Sequence, residues 1–168
     1  LKTENLEADL TRARAQSLQT GEVIRIERDV ELEGHPQTAR FSVAFMETTP
    51  PMFGQLFFCQ HHTPHLVWPR KRRAHPNGAV RIAKLFYVSG EGARPQFLAD
   101  GGKEPGIVSL TIEQHQRRFP EYALSGDATP RFTALEIEVT DLAAVERIAR
   151  KRDVPFVSAL AGLRISHP

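Results

Sequence analysis

One cysteine, one tryptophan, two tyrosines and two methionines stand among 168 residues, and several classes of protein are closed off by what is scarce. The single thiol, Cys59, leaves no intrachain disulfide and no cysteine framework for zinc, which fits a reducing compartment. No apolar run approaches the length of a membrane-spanning helix, and no charged-then-apolar signal segment opens the chain. The expected location is therefore cytoplasmic, with no membrane partner. Charge of one sign is scarce too. Lys and Arg number 22 against 20 Asp and Glu, and the resulting +2 is too small to argue for nucleic acid. No glycine-rich phosphate loop follows a strand: Gly90-Glu91-Gly92 and Gly101-Gly102 lack the spacing and the following helix that such a loop needs.

What is present is ordinary globular material. Apolar residues make up 40% and charged residues 25%, enough for a packed core. At roughly 100–200 residues per domain, the length suits a single domain. The chain opens at Leu1 directly into a helical pattern and closes at Pro168 after a strand-like run, so flanking segments are expected at both ends.

Leu6, Leu10 and Ala13 recur at helical spacing within Glu4–Leu18, with acids early and Arg12 and Arg14 late, as the helix dipole prefers. The spacing predicts an amphipathic helix ended by Gly21. Ile24, Ile26, Val30 and Leu32 then alternate with charged residues, a half-buried strand, and Gly34-His35-Pro36 makes a turn. A second strand, Ala39–Met46, sets Phe41, Val43 and Phe45 on one face and Arg40, Ser42, Ala44 and Met46 on the other. The first face is expected to be core, beneath the helix. Gln55–Gln60 forms a third strand.

The stretch 61–78 is irregular, broken by three prolines, and carries four of the seven histidines. Arg81–Ser89 is apolar on both sides and so reads as a central strand. A short helix is expected around Ala93–Asp100, a strand at Ile107–Ile112, a polar tract at His115–Arg118 and another strand at Phe132–Val139. Asp141 caps a helix with the stripe Leu142, Val145, Ile148 and Ala149, and strands follow from about Val154 and at Gly162–Ile165.

This order is α+β with a near-duplication. The run Phe57-Phe58-Cys59-Gln60-His61-His62-Thr63-Pro64-His65-Leu66-Val67-Trp68, then His75-Pro76-Asn77-Gly78-Ala79, and the later strand Phe132–Val139 running into Asp141, resemble the vicinal oxygen chelate superfamily, in particular its glyoxalase-like branch. That superfamily includes glyoxalase I, bleomycin-resistance proteins and extradiol dioxygenases. The resemblance implies a single domain over 1–168, built of two βαβββ modules (about 1–68 and 79–168) joined by a loop at 61–78. These would be curled sheets around a central cavity, with the first module's opening strand lying before Leu1. It also implies homodimers, and lyase, isomerase or ring-cleaving dioxygenase chemistry assisted by a divalent metal such as iron, manganese, nickel or zinc. The alternative within the same fold is a non-catalytic protein that binds and sequesters a drug or metabolite.

The candidate residues follow. His61, His62 and His65 lie just beyond an apolar strand; because successive strand residues point to opposite faces, His61 and His62 do not both look inward. They suit ligand hydrogen bonding, proton transfer or a metal bond, or else they cap loop carbonyls. His61, His62 and Glu136 are the catalytic candidates, and His62 and Glu136 the candidate metal ligands. The alternative for Glu136 and Glu138 is a solvated strand face, and Arg81–Ser89 lacks the ligand histidine that the resemblance leads one to expect there. Arg40 either fixes a substrate carboxylate or pairs with Glu27 or Asp29. Phe58, Gln60, His65, Trp68 and Asn77 are further substrate contacts, with Phe45, Phe58, Trp68 and Phe132 as an aromatic pocket. Cys59 reads as a small buried hydrophobe, and Arg70-Lys71-Arg72-Arg73 as a solvated loop.

Overall fold

The computed structural model describes residues 1–47, 54–69, 74–92, 106–124, 129–159 and 162–165. Within them the elements are β1 (Lys2–Thr3), α1 (Leu6–Ala15), β2 (Gln19–Thr20), β3 (Ile24–Leu32), β4 (His35–Glu47), β5 (Leu56–His61), α2 (Pro64–Val67), β6 (Ala79–Val88), β7 (Gly106–Leu110), α3 (Ile112–Arg118), β8 (Arg131–Val139), α4 (Leu142–Lys151), β9 (Phe156–Ala159) and β10 (Gly162–Ile165). The class is α+β, as expected. The basic run at 70–73 and the helix expected around 93–100 lie outside the described residues. Contacts divide the chain into two units, one carrying β1 to α2 and the other β6, β7, α3, most of β8, α4, β9 and β10.

In the first unit, β5 and β4 are the centre of a five-stranded sheet, with β1 beside β5 and both β2 and β3 beside β4. The opening strand expected before Leu1 is in the chain: Lys2 and Thr3 pair parallel with Cys59 and Gln60. Two residues are too few to show alternation, which is why the sequence hid it. Thr20 opposes Met46 and Ile24 opposes Val43, so the three residues between β2 and β3 face two of β4. This is a bulge, anchored where the Gly21 amide donates to the Phe45 carbonyl at 2.9 Å. The β3–β4 turn falls at Glu33 and Gly34, both at positive φ, the geometry of a two-residue type I′ hairpin. It comes earlier than the glycine and proline signals suggested, and β4 runs through Pro36.

Helix α1 begins where the Asn5 side chain accepts from the Ala8 amide at 3.1 Å. It ends at Ala15, short of Gly21, because Ser17 takes φ +63°. That left-handed residue lets the Leu18 amide reach the Ala13 carbonyl at 3.0 Å and the Ser17 amide reach the Arg14 carbonyl at 2.9 Å, a Schellman motif built without glycine. Leu6 and Leu10, 2% and 1% exposed, pack on Ala44, with Val23 and Phe58 alongside. The helix therefore covers the Ser42–Ala44 face of β4. The expectation that Phe41, Val43 and Phe45 lie beneath it is overturned: the methyl of Ala44 leaves room for the two leucines, which supply the bulk themselves.

In the second unit β6 is central, parallel to β7 and bordered by β8. Arg81 meets Glu138 while Phe86 meets Thr133, so β6 and β8 run antiparallel. The tract at 115–118 is helical, because Thr111 and Gln114 form a reciprocal capping box. His115 is buried in that helix against Phe119, ring centroids 5.0 Å apart. Asp141 caps α4, which closes in a second Schellman motif at Asp153, φ +52°. Strands β9 and β10 form an antiparallel hairpin. Gly78 is required where it stands: its φ is +70°, and a Cβ would sit 2.5 Å from Thr140 Oγ1.

Leu10→Ala should lower the unfolding free energy by about 2–5 kcal/mol in a urea titration, whereas Leu10→Met should cost under about 1.5 kcal/mol. Equal losses would contradict the packing of α1 on Ala44.

Candidate functional site

The pairing of β4 with β5 sorts the candidate residues. Phe41 lies opposite His61, Val43 opposite Cys59 and Phe45 opposite Phe57; Ser42 lies opposite Gln60 and Ala44 opposite Phe58. Partners across a ladder share a face. One face of the sheet therefore lies under α1. The other carries Phe41, Phe45, Phe57, Cys59 and His61, and it is extended by Ile24 and Ile26 from β3 and by Lys2 from β1.

Phe58 and Gln60 belong to the helix side. Phe58 packs against the core cluster, so it is not part of an aromatic pocket. Gln60 accepts from the Leu6 amide at 3.2 Å and donates to the Glu4 carbonyl at 2.8 Å, holding the start of α1 to β5. His62 has left the strand, and its Nε2 lies 2.8 Å from Ser42 Oγ. Arg40, expected over the concave surface, shares the side of Ser42 and Ala44, and its Nε pairs with Glu27 Oε1 at 2.9 Å. Of its two readings, the cross-strand ion pair is the one present.

On the open face the His61 ring is held between two aromatics. The Phe41 ring meets it edge-on at 4.9 Å, and the Trp68 ring, supplied by the end of α2, lies over it at 4.4 Å. Its Nε2 is 3.5 Å from Cys59 Sγ, while its buried Nδ1 has no hydrogen-bond partner among the described residues. Burial pushes the imidazole pKa down, and the neighbouring charges of Lys2 and His62 push it further the same way. Burial also pushes the Cys59 thiol up. The pair is thus a neutral imidazole beside a neutral thiol, which is the opposite of the activated thiolate a nucleophilic cysteine needs. Sequence reasoning assigned no such pairing to Cys59, although an i, i+2 spacing on one strand was signal enough.

Lys2 reaches across the same face, its Nζ 5.1 Å from the Trp68 ring centroid. With Pro64, His65 and Trp68 it lines an open recess of about 530 Å³. His61, His65 and Trp68 therefore gather here, and Lys2 is the member that the sequence did not single out. Lys2 was missed because its strand was missed.

The remaining candidates lie in the second unit and are engaged there. Glu136 bonds Lys84 Nζ at 2.7 Å and Glu138 bonds Arg81 Nε at 2.7 Å. Asn77 Oδ1 accepts from the Ala79 amide in the turn before β6, and Phe132 packs on Tyr87 with ring centroids 5.5 Å apart. No three His, Cys, Asp or Glu side chains converge as a cation's ligand set among the described residues. Among the described residues the donors do not fit the divalent metal that the superfamily implies, since Glu136 and Glu138 are held by Lys84 and Arg81.

A strand, a ten-residue helix and three antiparallel passes, with the first strand parallel to the last, form the βαβββ pattern, and a family model for the glyoxalase-like domain matches residues 1–99. The chain belongs to the glyoxalase-like domain family. That family lies within the vicinal oxygen chelate superfamily. No match was found among curated proteins or among solved structures.

Two outcomes test this geometry. The His61 imidazole should titrate below its ordinary value of 6.5 when followed by NMR. Because the unfolded chain then binds that proton more readily, the stability linked to His61 is full above about pH 6.5 and falls as the pH drops through the folded pKa. A titration at or above the ordinary value would contradict the burial. Gln60→Ala should cost about 1 kcal/mol of stability in a denaturant titration and leave the His61 ring signals in place.

Proposed function

We propose that this glyoxalase-like domain recognises a small organic molecule on the open face of β3, β4 and β5, beside His61 and Trp68. The observation that carries the reading is the exposure of large apolar side chains on that one face: Ile24 is 47% exposed, Ile26 42% and Phe57 39%. Contiguous exposed apolar surface marks an interaction site. The adjoining recess falls within the size range of ordinary ligand pockets, roughly 300–1,000 Å³.

Binding without turnover is favoured over the lyase, isomerase or dioxygenase reading, since β6 carries no histidine and Glu136 and Glu138 are held by Lys84 and Arg81. A second reading, proton transfer, is supported by His61. Its depressed pKa keeps the ring neutral at neutral pH, the state a general base requires. A second copy of the chain is the partner proposed beyond the ligand, because β3 pairs on one side only among the described residues.

In protein-observed NMR, small aromatic fragments should shift the methyl signals of Ile24 and Ile26 and the indole of Trp68, and leave Leu6 and Leu10 unmoved. Ile26→Glu should weaken that binding by roughly tenfold or more. Shifts confined to the α1 side, or no saturable shift at all, would sink the reading.

A further inference from the structure

The recess beside the apolar face has a chemistry of its own. Among the described residues it is lined by Lys2, Pro64, His65 and Trp68, none of them a carboxylate. Lys2 is exposed and stands over the indole with its ammonium 5.1 Å from the ring centroid. None of the ion pairs formed by the described residues involves Lys2. The cation is therefore held by an aromatic ring at the lip of an open recess, with no acid paired to it among the described residues. Behind it, Trp68, His61 and Phe41 form a continuous row of rings at centroid distances of 4.4 and 4.9 Å.

We propose that the ligand is a planar aromatic carboxylic acid. Its carboxylate is held at Lys2 and His65, and its ring lies along the row that begins at Trp68. This rests on the small-molecule reading above and adds the ligand's charge and shape. The physical argument is twofold. An ammonium with an aromatic neighbour and no carboxylate gains a charge-assisted bond from an incoming anion. Flat rings stack on exposed aromatic side chains with little loss of freedom on the protein side. A neutral molecule of the same shape keeps the stacking and loses the anion contact; a cation meets Lys2 as a like charge.

Trp68 is the only tryptophan in the chain, so its fluorescence reports this recess alone. The experiment titrates benzoate and, separately, benzamide into the protein up to about 50 mM, the range expected for ligands of so few atoms. Ionic strength is held constant, and free N-acetyltryptophanamide corrects for collisional quenching. Saturable quenching by benzoate is expected, with benzamide weaker by roughly tenfold or more, the size of a charge-assisted hydrogen bond. Lys2→Met should remove the preference for benzoate over benzamide, and Lys2→Arg should retain it. Equal binding of the two probes by the native protein would overturn the anion and leave small-molecule recognition standing. Failure of both to saturate would overturn the proposed function along with it. Retention of the benzoate preference in Lys2→Met, with far-ultraviolet circular dichroism unchanged, would show that Lys2 does not hold the carboxylate.

Discussion

Every placement at the candidate site depends on the register of β4 against β5. With Phe41 opposite His61 and Ala44 opposite Phe58, the small and polar residues of β4 lie under α1 and the aromatic ones lie outside. A slip of one residue would exchange the two faces along the whole strand. It would drive Phe41 and Phe45 into the leucines of the helix and turn Ser42 and Ala44 outward. The bulge at Gly21, the type I′ turn at Glu33 and Gly34 and the parallel addition of β1 all help to hold that register.

The strands were legible because their period is simple: β3, β5, β6 and β8 appear within a residue or two of where alternation and apolar content put them. The cap at Asp141 was legible for the same reason, since one side chain does the work locally. What was not legible was which face of β4 the helix chooses. Apolar content alone favours the phenylalanine face, but a helix carrying two leucines needs room more than it needs additional bulk, and Ala44 supplies it. That preference belongs to the pair of elements and not to either sequence segment.

The other misses have equally physical causes. Strand β1 is two residues long, below the length at which any period can be recognised, and Lys2 went with it. Helix α3 was overlooked although Thr111 and Gln114 spell a capping box, because the residues that follow are polar and their one buried member, His115, is not apolar. At the site the rule that neighbouring strand residues diverge separated His61 from His62, which lies against Ser42. It also shows why Cys59 and His61 meet, being two residues apart on the same face.

The arrangement carries an energetic cost. Leaving Ile24, Ile26, Phe45 and Phe57 more than a third exposed forgoes hydrophobic stabilisation at about 25 cal/mol per Å² of apolar surface. The same chain fills the helix side nearly completely, with Ala44 fully buried and Leu10 at 1%. The aromatic row is backed by a rigid sheet, bordered by a histidine kept neutral through burial, and ended by a lysine held on an indole. The ring contacts and the cation over the indole offset part of that cost and fix the positions of His61, Trp68 and Lys2 on the face. The uneven division of bulk between the two faces thus follows from the register, which gives the helix the small side chains of β4 and leaves the aromatic ones on the other side.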